Sequence, residues 1–357
     1  MINKTCFIGI GGCGNKMLNE LLNISSTVNG VFINTNINEM KKLKNFDVDL
    51  GNYIFINGDG TGRNPDKAEQ LLNKNRQKIG EFFKNKVGNY TTYVLIFSLD
   101  GGTGSGSAKP VSTAIKRINE VMGHEVSINL IGVCPKFDNR RISLMNTLWA
   151  RQKIKSLLND EIIDSYRLID NNKMNNYTEK EFNSKVMKSI YNSYTLNYNE
   201  LDSTDATIIN NTKGYNAILE LPKELSGHEK DGVNYAIEDS LFVLPKNIGN
   251  CKSIGISLVE GEYNANKIID CFNVIEFDKE DYNPYGNHIV LGGLEEPIWI
   301  FNKYAELYNS ANIEEYTNTN EEEIEFNCIE FSKKNEVKKS NNIVTEKDLR
   351  NMYDNLW

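Results

Sequence analysis

The feature that most constrains this chain is a long apolar run that ends in a glycine-rich loop. Residues 91–99 read TTYVLIFSL, residues 100–108 read DGGTGSGSA, and the helical pattern PVSTAIKRINEVM follows the loop at residues 110–122. A continuous apolar run of this length is typical of a strand buried on both faces, as in a parallel sheet covered by helices. The sequence therefore predicts an α/β fold in which a glycine loop joins a buried strand to a helix.

The same order of strand, loop and helix recurs through the first half of the chain. TCFIGI leads into GGCGN and the helical KMLNELLN, and GVFINTN, YIFING, VSINLIGVC and SYRLIDNN are further candidate strands. Residues 65–85 are predicted to form one helix, with Pro65 in its first position. Strands and helices that alternate in this way predict a Rossmann-like parallel sheet.

The pattern changes in the second half. A long central helix is expected over about 178–195, followed by the strands GYNAILEL, SIGISLV and HIVLGGL and by candidate helices at 232–244 and 264–277. Separated strands with helices between them predict a second, mixed α/β domain. The predicted division is a first domain over residues 1–176, the central helix and its following segment over 177–199, the second domain over 200–312, and a tail over 313–357.

Charge excludes one class of function and marks the tail. The formal net charge is −8, which argues against direct DNA binding, because neutralising phosphates takes clustered Lys and Arg. Residues 314–330 hold seven acids and no Lys or Arg, whereas residues 333–350 are rich in Lys. Such a run is most often a solvated tail.

Other classes have little support. The longest apolar runs are strand-sized, far short of the roughly 20 residues of a membrane span, and the N-terminus shows no signal-peptide pattern. We therefore expect a cytoplasmic protein without membrane contact. The 6 cysteines are scattered without a C-x-x-C pair and the 3 histidines lie far apart, so disulfides, metal cages and Ser-His-Asp or Cys-His catalysis are not favoured.

The first glycine loop is ambiguous by itself. GIGGCG satisfies G-x-G-x-x-G directly after a strand. A dinucleotide-binding fold would place an acid at the end of the second strand, but the chain there reads INTN, with Asn34 and Asn36. An NAD-dependent oxidoreductase is thus a remote alternative, and glycines serving only a tight turn and close helix packing are equally consistent with this loop.

The second glycine loop favours a phosphate ligand. It lacks the lysine of a P-loop, since Gly106 is followed by Ser107. Its glycines can turn backbone N–H groups toward an anion, its hydroxyls add donors, and the next helix offers its positive end. The predicted cradle for a polyphosphate consists of Gly101, Gly102, Thr103, Gly104, Ser105 and Gly106.

DGGTGSGSA resembles the signature loop of the tubulin/FtsZ superfamily, whose usual form is G-G-G-T-G-[ST]-G. The resemblance continues in order along the chain: GIGGCGN is similar to the first nucleotide loop, INTN to the second, GTGRNPDKA to the loop near the γ-phosphate, CPKFDNRR to the ribose-side loop, and LIDNNKM to a guanine-reading loop. The resemblance implies a GTPase that binds GTP or GDP with Mg²⁺ in the first domain, and an assembly role for the second.

The resemblance also implies which residues contact the nucleotide. Guanine offers N–H donors and a carbonyl acceptor, which amide and carboxylate side chains suit, so asparagines and an acid opening the central helix are implied at the base. Tyr177 is implied to stack on the guanine base and Glu181 to accept its N–H groups. An ordinary core role for Tyr177 is equally open. Phe182 and Asn183 are the alternative candidates for these two contacts. Besides the cradle, the implied contacts are Gly11, Gly12, Cys13, Asn15, Asn36, Gly60, Asn64, Pro135, Arg141, Asn171, Tyr177 and Glu181.

The catalytic acids are implied to come from a neighbouring subunit. GTP hydrolysis needs a positioned water and groups that accept developing charge, and the first domain shows no obvious general base. NELDSTD resembles the family's acidic loop, with Glu200, Asp202 and Asp205 on its spacing and Glu200 replacing the usual asparagine. Head-to-tail filaments follow from this arrangement. Two alternatives stay open: NELDSTD forms only an exposed acidic turn, or the protein forms a filament without hydrolysing GTP.

Within the superfamily, the short chain, the divergent loops and the mildly basic tail look most like the plasmid- and phage-borne TubZ group. That resemblance implies DNA partition through a DNA-binding adaptor of the TubR type, recruited by the tail. An FtsZ-like division filament, or another cytoskeletal GTPase, is the alternative. Asp100 departs from the signature, which usually starts with glycine; Mg²⁺ would offset its charge, or it caps the next turn. Asp59 and Asp100 are the candidate metal contacts.

Overall fold

The structure is a computed structural model that describes residues 2–58, 60–86, 88–138, 140–195, 203–283 and 286–317. Within these ranges the chain forms a ten-stranded sheet with helices packed against it. The strands are β1 Thr5–Ile10, β2 Asn29–Asn34, β3 Tyr53–Phe55, β4 Thr92–Ser98, β5 Ser127–Cys134, β6 Ser165–Asp170, β7 Gly214–Leu221, β8 Asn250–Leu258, β9 Asn273–Tyr282 and β10 Asn287–Leu294.

The helices alternate with these strands, as the sequence predicts. Short 3-10 helices also lie at Ile2–Lys4, Asn171–Asn176 and Lys223–Leu225. The α-helices are α1 Gly11–Ile24, α2 Ile37–Met40, α3 Pro65–Lys74, α4 Arg76–Lys84, α5 Thr103–Val121, α6 Arg141–Asn159, α7 Glu179–Thr195, α8 Ser203–Asn211, α9 Glu229–Glu238, α10 Ala265–Ile269 and α11 Ile298–Thr317.

The strand order along the sheet is β3-β2-β1-β4-β5-β6-β7-β10-β8-β9. Neighbouring strands from β3 to β7 are parallel, and β10 is antiparallel to both β7 and β8. Every residue of β1, β4 and β6 is buried. Burial on both faces explains the continuous apolar runs of the sequence, and the predicted mostly parallel α/β fold is confirmed.

The sheet topology decides where a ligand would bind. β1 lies between β2 and β4, so the chain order reverses at β1 and the loops after these three strands meet at one edge. In open α/β sheets a crevice forms outside the carboxyl ends of the strands at such a reversal. Both predicted glycine loops lie there.

Three predicted helices differ in the structure. The helix predicted over residues 65–85 is broken into α3 and α4 at Asn75, whose side-chain amide donates to the Leu71 carbonyl oxygen at 2.8 Å. The helix predicted over 232–244 ends at Glu238, after which Phe242 forms a bridge to Ile169. The helix predicted over 264–277 is α10 followed by the strand β9.

The predicted second domain continues the same sheet. β6 and β7 pair at Ser165 with Gly214 and at Tyr166 with Tyr215, and α7 lies in the chain between these strands. The domain boundaries of the sequence analysis stay a prediction. None of the helices in the described ranges is long and apolar enough to cross a membrane.

Candidate functional site

A cleft of about 480 Å³ lies at the edge where β1, β2 and β4 end, a size typical of small-molecule sites. A larger cavity of about 700 Å³ lies at the opposite edge, near the start of β4 and β5; no helix of the described chain begins in that cavity, so we take the cleft as the candidate site. Ten predicted residues line the cleft: Gly11, Gly12, Cys13, Asn36, Gly60, Asp100, Gly101, Gly102, Thr103 and Gly104.

Two long helices begin at this cleft. α1 starts at Gly11 and α5 at Thr103, and neither helix has a side-chain cap or an acidic residue in its first turn. The first N–H groups of a helix lack partners within it, and the helix dipole makes that end positive. Two such ends at one cleft form an anion-binding surface made of backbone.

The two helix starts are packed so closely that only glycine fits between them. Gly11 has a φ of +71°, and a Cβ there would lie 3.0 Å from the Gly104 nitrogen. A Cβ on Gly102 would lie 2.7 Å from the Asn64 nitrogen. The glycines of both loops therefore allow α1, α5 and the start of α3 to lie close together around the cleft.

Three threonine hydroxyls meet at the cleft floor. Thr103 Oγ1 lies 2.9 Å from Thr35 Oγ1 and 3.3 Å from Thr61 Oγ1. Thr103 was predicted from the sequence as a cleft residue, whereas Thr35 and Thr61 were not. A usable signal was present, because each missed threonine lies inside a loop that had been identified, INTN or GTGRNPDKA.

The charges of the cleft are mostly negative. Glu39, which the sequence analysis missed, lines the cleft with Asp100. The Asn34 amide donates to Glu39 Oε2 at 2.9 Å, and the Ser98 hydroxyl donates to the Asp100 carboxylate. Arg63 also lines the cleft, but its guanidinium donates to Ser143 Oγ at 2.9 Å. An anion here would be held chiefly by backbone N–H groups.

Cys13 reports this electrostatic environment. Burial, together with the neighbouring Asp100 and Glu179 carboxylates, raises the pKa of its thiol to about 12. The thiol is therefore neutral at physiological pH. Cys13 contributes packing and a weak donor at the start of α1, not a nucleophile.

Four predicted contacts support the cleft from behind. Asn64 caps α3 by accepting from the Lys67 N–H at 2.9 Å. The Ser105 hydroxyl donates to the Gly101 carbonyl oxygen within the cradle, and Gly106 packs against the Pro65 carbonyl. Asn15 is buried, with its amide donating to the Ile33 carbonyl oxygen at 3.2 Å and its Oδ1 lacking a partner in the described chain. An unpartnered buried acceptor beside the cleft fits a ligand with N–H donors.

The remaining predicted contacts lie away from the cleft lining. Pro135 accepts a hydrogen bond from the Tyr304 hydroxyl at 2.7 Å, and Arg141 donates to the Tyr308 hydroxyl at 2.9 Å, so both serve the docking of α11. Asn171 opens the 3-10 helix after β6.

The opening of α7 forms a local network. Glu181 accepts from the Thr178 N–H at 2.9 Å and from its hydroxyl at 2.7 Å, a capping box, and this hydrogen bonding lowers the pKa of the exposed carboxyl. The Tyr177 hydroxyl accepts from Lys185 at 3.1 Å. The predicted base-contacting roles of Tyr177 and Glu181 stay predictions.

Two of the three predicted catalytic acids and one predicted metal contact lie outside the described part of the chain. Glu200, Asp202 and Asp59 lie outside the described residues, and Asp205 lies in α8. The tail from residue 318 onward is also outside them. Within the described ranges, no three His, Cys, Asp or Glu side chains are grouped as a metal site.

The cleft nevertheless fits a magnesium–polyphosphate ligand. Mg²⁺ usually takes most of its ligands from phosphates and water, with only one or two carboxylates. Glu39 and Asp100 supply carboxylates, and the two uncapped helix starts supply N–H donors for phosphate oxygens. A free anion would be repelled by these acids, so a cation bound with it would favour binding.

Comparisons with known proteins point to one family. Residues 4–179 match the family model described as "Tubulin/FtsZ family, GTPase domain". The chain is 26% identical over 306 residues to "Tubulin-like protein TubZ" of Clostridium botulinum C phage, a match that covers 83% of this chain and 80% of that protein.

Solved structures show the same fold. The crystal structure of Clostridium botulinum phage c-st TubZ superposes with a TM-score of 0.76 at 21% identity, covering 88% of this chain and 100% of that one. A GTPγS-form protofilament of Bacillus thuringiensis serovar israelensis TubZ gives a TM-score of 0.71 at 14% identity, covering 89% and 94%. The predicted resemblance to the tubulin/FtsZ superfamily is confirmed.

Proposed function

We propose that this chain, whose residues 4–179 belong to the tubulin/FtsZ family of GTPase domains, binds GTP with Mg²⁺ in the cleft and hydrolyses it in a head-to-tail filament. The observation that carries the proposal is the meeting of two uncapped helix N-termini, α1 and α5, at the reversal point of the sheet. That surface suits a polyphosphate without a lysine.

The cleft supports binding but holds no obvious group to activate water. Its carboxylates, Glu39 and Asp100, are engaged with Asn34 and Ser98. We propose that the acids Glu200, Asp202 and Asp205 of the next subunit complete the site, position the water and accept developing charge. A protofilament of a TubZ with this fold supports self-association along one axis. We propose the division at residues 176 and 200 as the boundary between nucleotide-binding and assembly parts.

A combined sedimentation and phosphate-release assay tests this function. With GTP and Mg²⁺ we expect polymer to form above a threshold protein concentration and phosphate to be released from it, whereas GDP supports neither. Polymer without phosphate release would favour a filament lacking turnover, for which Glu200 in place of asparagine offers a cause. Nucleotide binding without polymer at any concentration would contradict the proposal.

The variant Asp202→Ala separates binding from hydrolysis. We expect it to bind GDP as the parent does, to polymerise with GTP, and to release phosphate at least about a hundredfold more slowly, giving filaments that do not disassemble. Glu260→Ala, which removes an exposed acid in the turn after β8, is the matched control. Normal phosphate release by Asp202→Ala would move the catalytic role elsewhere.

We further propose a cytoplasmic role in plasmid or phage DNA partition, in which the tail recruits a DNA-binding adaptor of the TubR type and the chain itself does not touch DNA. The similarity to a phage TubZ and the lysine-rich segment 333–350 support this. A pull-down with the product of the neighbouring gene tests it, using the full chain and a chain ended after residue 317. Capture independent of the tail would contradict it, and a division defect without DNA loss would favour the FtsZ-like alternative.

A further inference from the structure

Arg167 is a buried cation that the nucleotide cleft does not use. It lies in the middle of β6, with 1% of its surface exposed. No carboxylate in the described part of the chain pairs with it, and its Nε has no partner there. A buried charge without a counter-ion destabilises the folded state of typical proteins by several kcal/mol. The presence of Arg167 in a buried strand therefore indicates that its guanidinium has a role that offsets this cost.

Its guanidinium instead contacts two helices. One nitrogen donates to Asn210 Oδ1 in α8 at 2.8 Å, and another donates to the Tyr194 hydroxyl in α7 at 3.3 Å. The planar guanidinium holds its donors in a fixed fork. Arg167 therefore fixes the relative position of the end of α7 and of α8, with the sheet as the reference.

Neighbouring polar groups connect the same two helices. The Asn210 amide donates to the Ser193 carbonyl oxygen of α7 at 2.7 Å. The Asn129 amide in β5 donates to the Tyr194 hydroxyl at 3.1 Å and to Asn211 Oδ1 in α8 at 2.7 Å. A displacement of either helix would break several of these buried hydrogen bonds at once, so the network favours one relative position of α7 and α8.

We call Arg167 and its two partners, Tyr194 and Asn210, the Arg167 clamp. The function of the clamp follows from its position in the chain. α7 ends at Thr195 and α8 begins at Ser203, so Tyr194 and Asn210 stand on either side of the segment that carries Glu200 and Asp202. We propose that Arg167 is a positioning residue for hydrolysis, which sets where this acidic segment is presented to the nucleotide of the next subunit. This inference rests on the proposed function.

Arg167→Met tests the clamp, because methionine keeps much of the apolar stem and removes the fork. We expect GDP affinity, and polymer mass with a non-hydrolysable GTP analogue, to stay within about twofold of the parent. Phosphate release per polymerised subunit should fall by about tenfold or more, since misplacement of a reacting group by about 1 Å costs up to a hundredfold. Arg167→Lys, which can reach only one helix at a time, should give an intermediate rate.

Asn119→Ala is the control. It removes an equally buried amide, which donates to the Ile115 carbonyl oxygen at 2.9 Å within α5 and makes no hydrogen bond to the described residues of α7 or α8. A merely structural role for Arg167 predicts similar effects of both variants on turnover per polymerised subunit. That result, or parental turnover in Arg167→Met, would overturn the inference.

A second measurement keeps the test independent of hydrolysis. Amide hydrogen exchange over residues 196–211 should accelerate by about tenfold in Arg167→Met and remain parental in Asn119→Ala. Unchanged exchange would overturn the clamp.

If Arg167→Met fails to bind GDP, Tyr194→Phe removes one hydroxyl and should still lower turnover, so parental turnover in that variant would overturn the inference as well. Absence of assembly and phosphate release in the parent contradicts the proposed function, while the exchange result still decides the clamp.

Discussion

Single residues in the first glycine loop have separable roles. A Cβ on Gly12 would lie 3.1 Å from the Glu39 carboxylate, the end of a flexible side chain in the cleft, whereas a Cβ on Gly14 would lie 2.0 Å from the Ile96 carbonyl oxygen of β4. The backbone of a buried strand cannot move aside in the way that a flexible side chain can. One glycine therefore keeps space for the ligand, and the other lets α1 pack on the sheet.

Alanine at each position should separate binding from folding. We expect Gly14→Ala to lower the free energy of unfolding by about 1–3 kcal/mol or more, the usual cost of overpacking. Gly12→Ala should unfold at nearly the parental urea concentration but bind a fluorescent GDP about tenfold more weakly, equal to about 1.4 kcal/mol. Normal GDP affinity in Gly12→Ala would contradict the assignment of the cleft.

Asp100 gives a second residue-level prediction. Its carboxylate lines the cleft beside the predicted phosphate cradle, and removing a negative charge there should lessen the need for a cation. We expect Asp100→Asn to bind GDP more tightly than the parent in EDTA, by about tenfold for a charge near the phosphates, with the difference shrinking when Mg²⁺ is added. Glu260→Gln is the control, and equal affinity of Asp100→Asn and parent in EDTA would contradict the prediction.

At this scale the sequence predicted the backbone of the site better than its side chains. The glycine loops could be identified because glycine patterns reflect close backbone approach. Glu39 could not, since its presence in the cleft depends on how α2 lies beside α1. The ribose-side contact of Arg141 stays a prediction, and its guanidinium donates to the Tyr308 hydroxyl.

Among the elements, α11 docks on α6 through a paired charge. Arg151 in α6 donates to both oxygens of Glu296, just before α11, at 2.8 Å each, and packs over the Phe301 ring at 4.7 Å. Both charged side chains are largely buried, at 17% and 15% exposure. A bidentate pair of this kind is among the stronger polar contacts in proteins.

Removing that charge should loosen the helix. We expect Glu296→Gln to lower the free energy of unfolding by about 1–3 kcal/mol, because the guanidinium loses a charged acceptor while staying mostly buried. Glu306→Gln is the matched control, since Glu306 pairs with Lys303 at 3.7 Å on the surface and should change stability by less than about 1 kcal/mol. Equal effects of the two substitutions in urea unfolding would contradict this picture of α11.

The elements that sequence reasoning missed are those decided by tertiary contacts. Residues 273–277 were predicted as the end of the helix over 264–277, yet they belong to β9, because β8 offers a parallel partner for them. The break at Asn75 likewise replaces one predicted helix by two. The buried parallel strands were predictable, since their apolar runs leave no exposed face.

At the scale of the whole molecule, buried thiols link folding to alkaline pH. Burial raises the pKa of Cys6 and of Cys13 to about 12, and that of Cys251 to about 11, from an ordinary value of 9.0. A pKa raised by folding means that the folded state holds the proton more tightly than the unfolded state. This contribution to stability is complete below pH 9 and is lost as pH rises from 9 toward 12.

We therefore expect the free energy of unfolding to change little from pH 7 to 8 and to fall steadily from pH 9 to 11, measured by urea unfolding under reducing conditions. Cys6→Ala should show a shallower fall over the same range, because one buried ionisable thiol is removed. A flat pH dependence between 9 and 11 would contradict the burial of these thiols.

The topology places the glycine loops at one edge of the sheet, while α7 separates β6 from β7 in the chain and leads toward the acidic segment. The order of motifs along the sequence was sufficient to predict the resemblance to the tubulin/FtsZ superfamily and the two glycine loops that line the cleft. It was insufficient to define the proposed contact between subunits, because such a contact would depend on residues of two chains.

Phosphate release measured against total protein concentration tests most directly whether two subunits form one active site. If the acids of one subunit complete the cleft of the next, the rate per subunit should be close to zero below the assembly threshold, with release rising linearly above it and in parallel with polymer mass. A rate per subunit that is constant from the lowest concentration upward, in a sample without polymer, would show that one chain hydrolyses GTP alone.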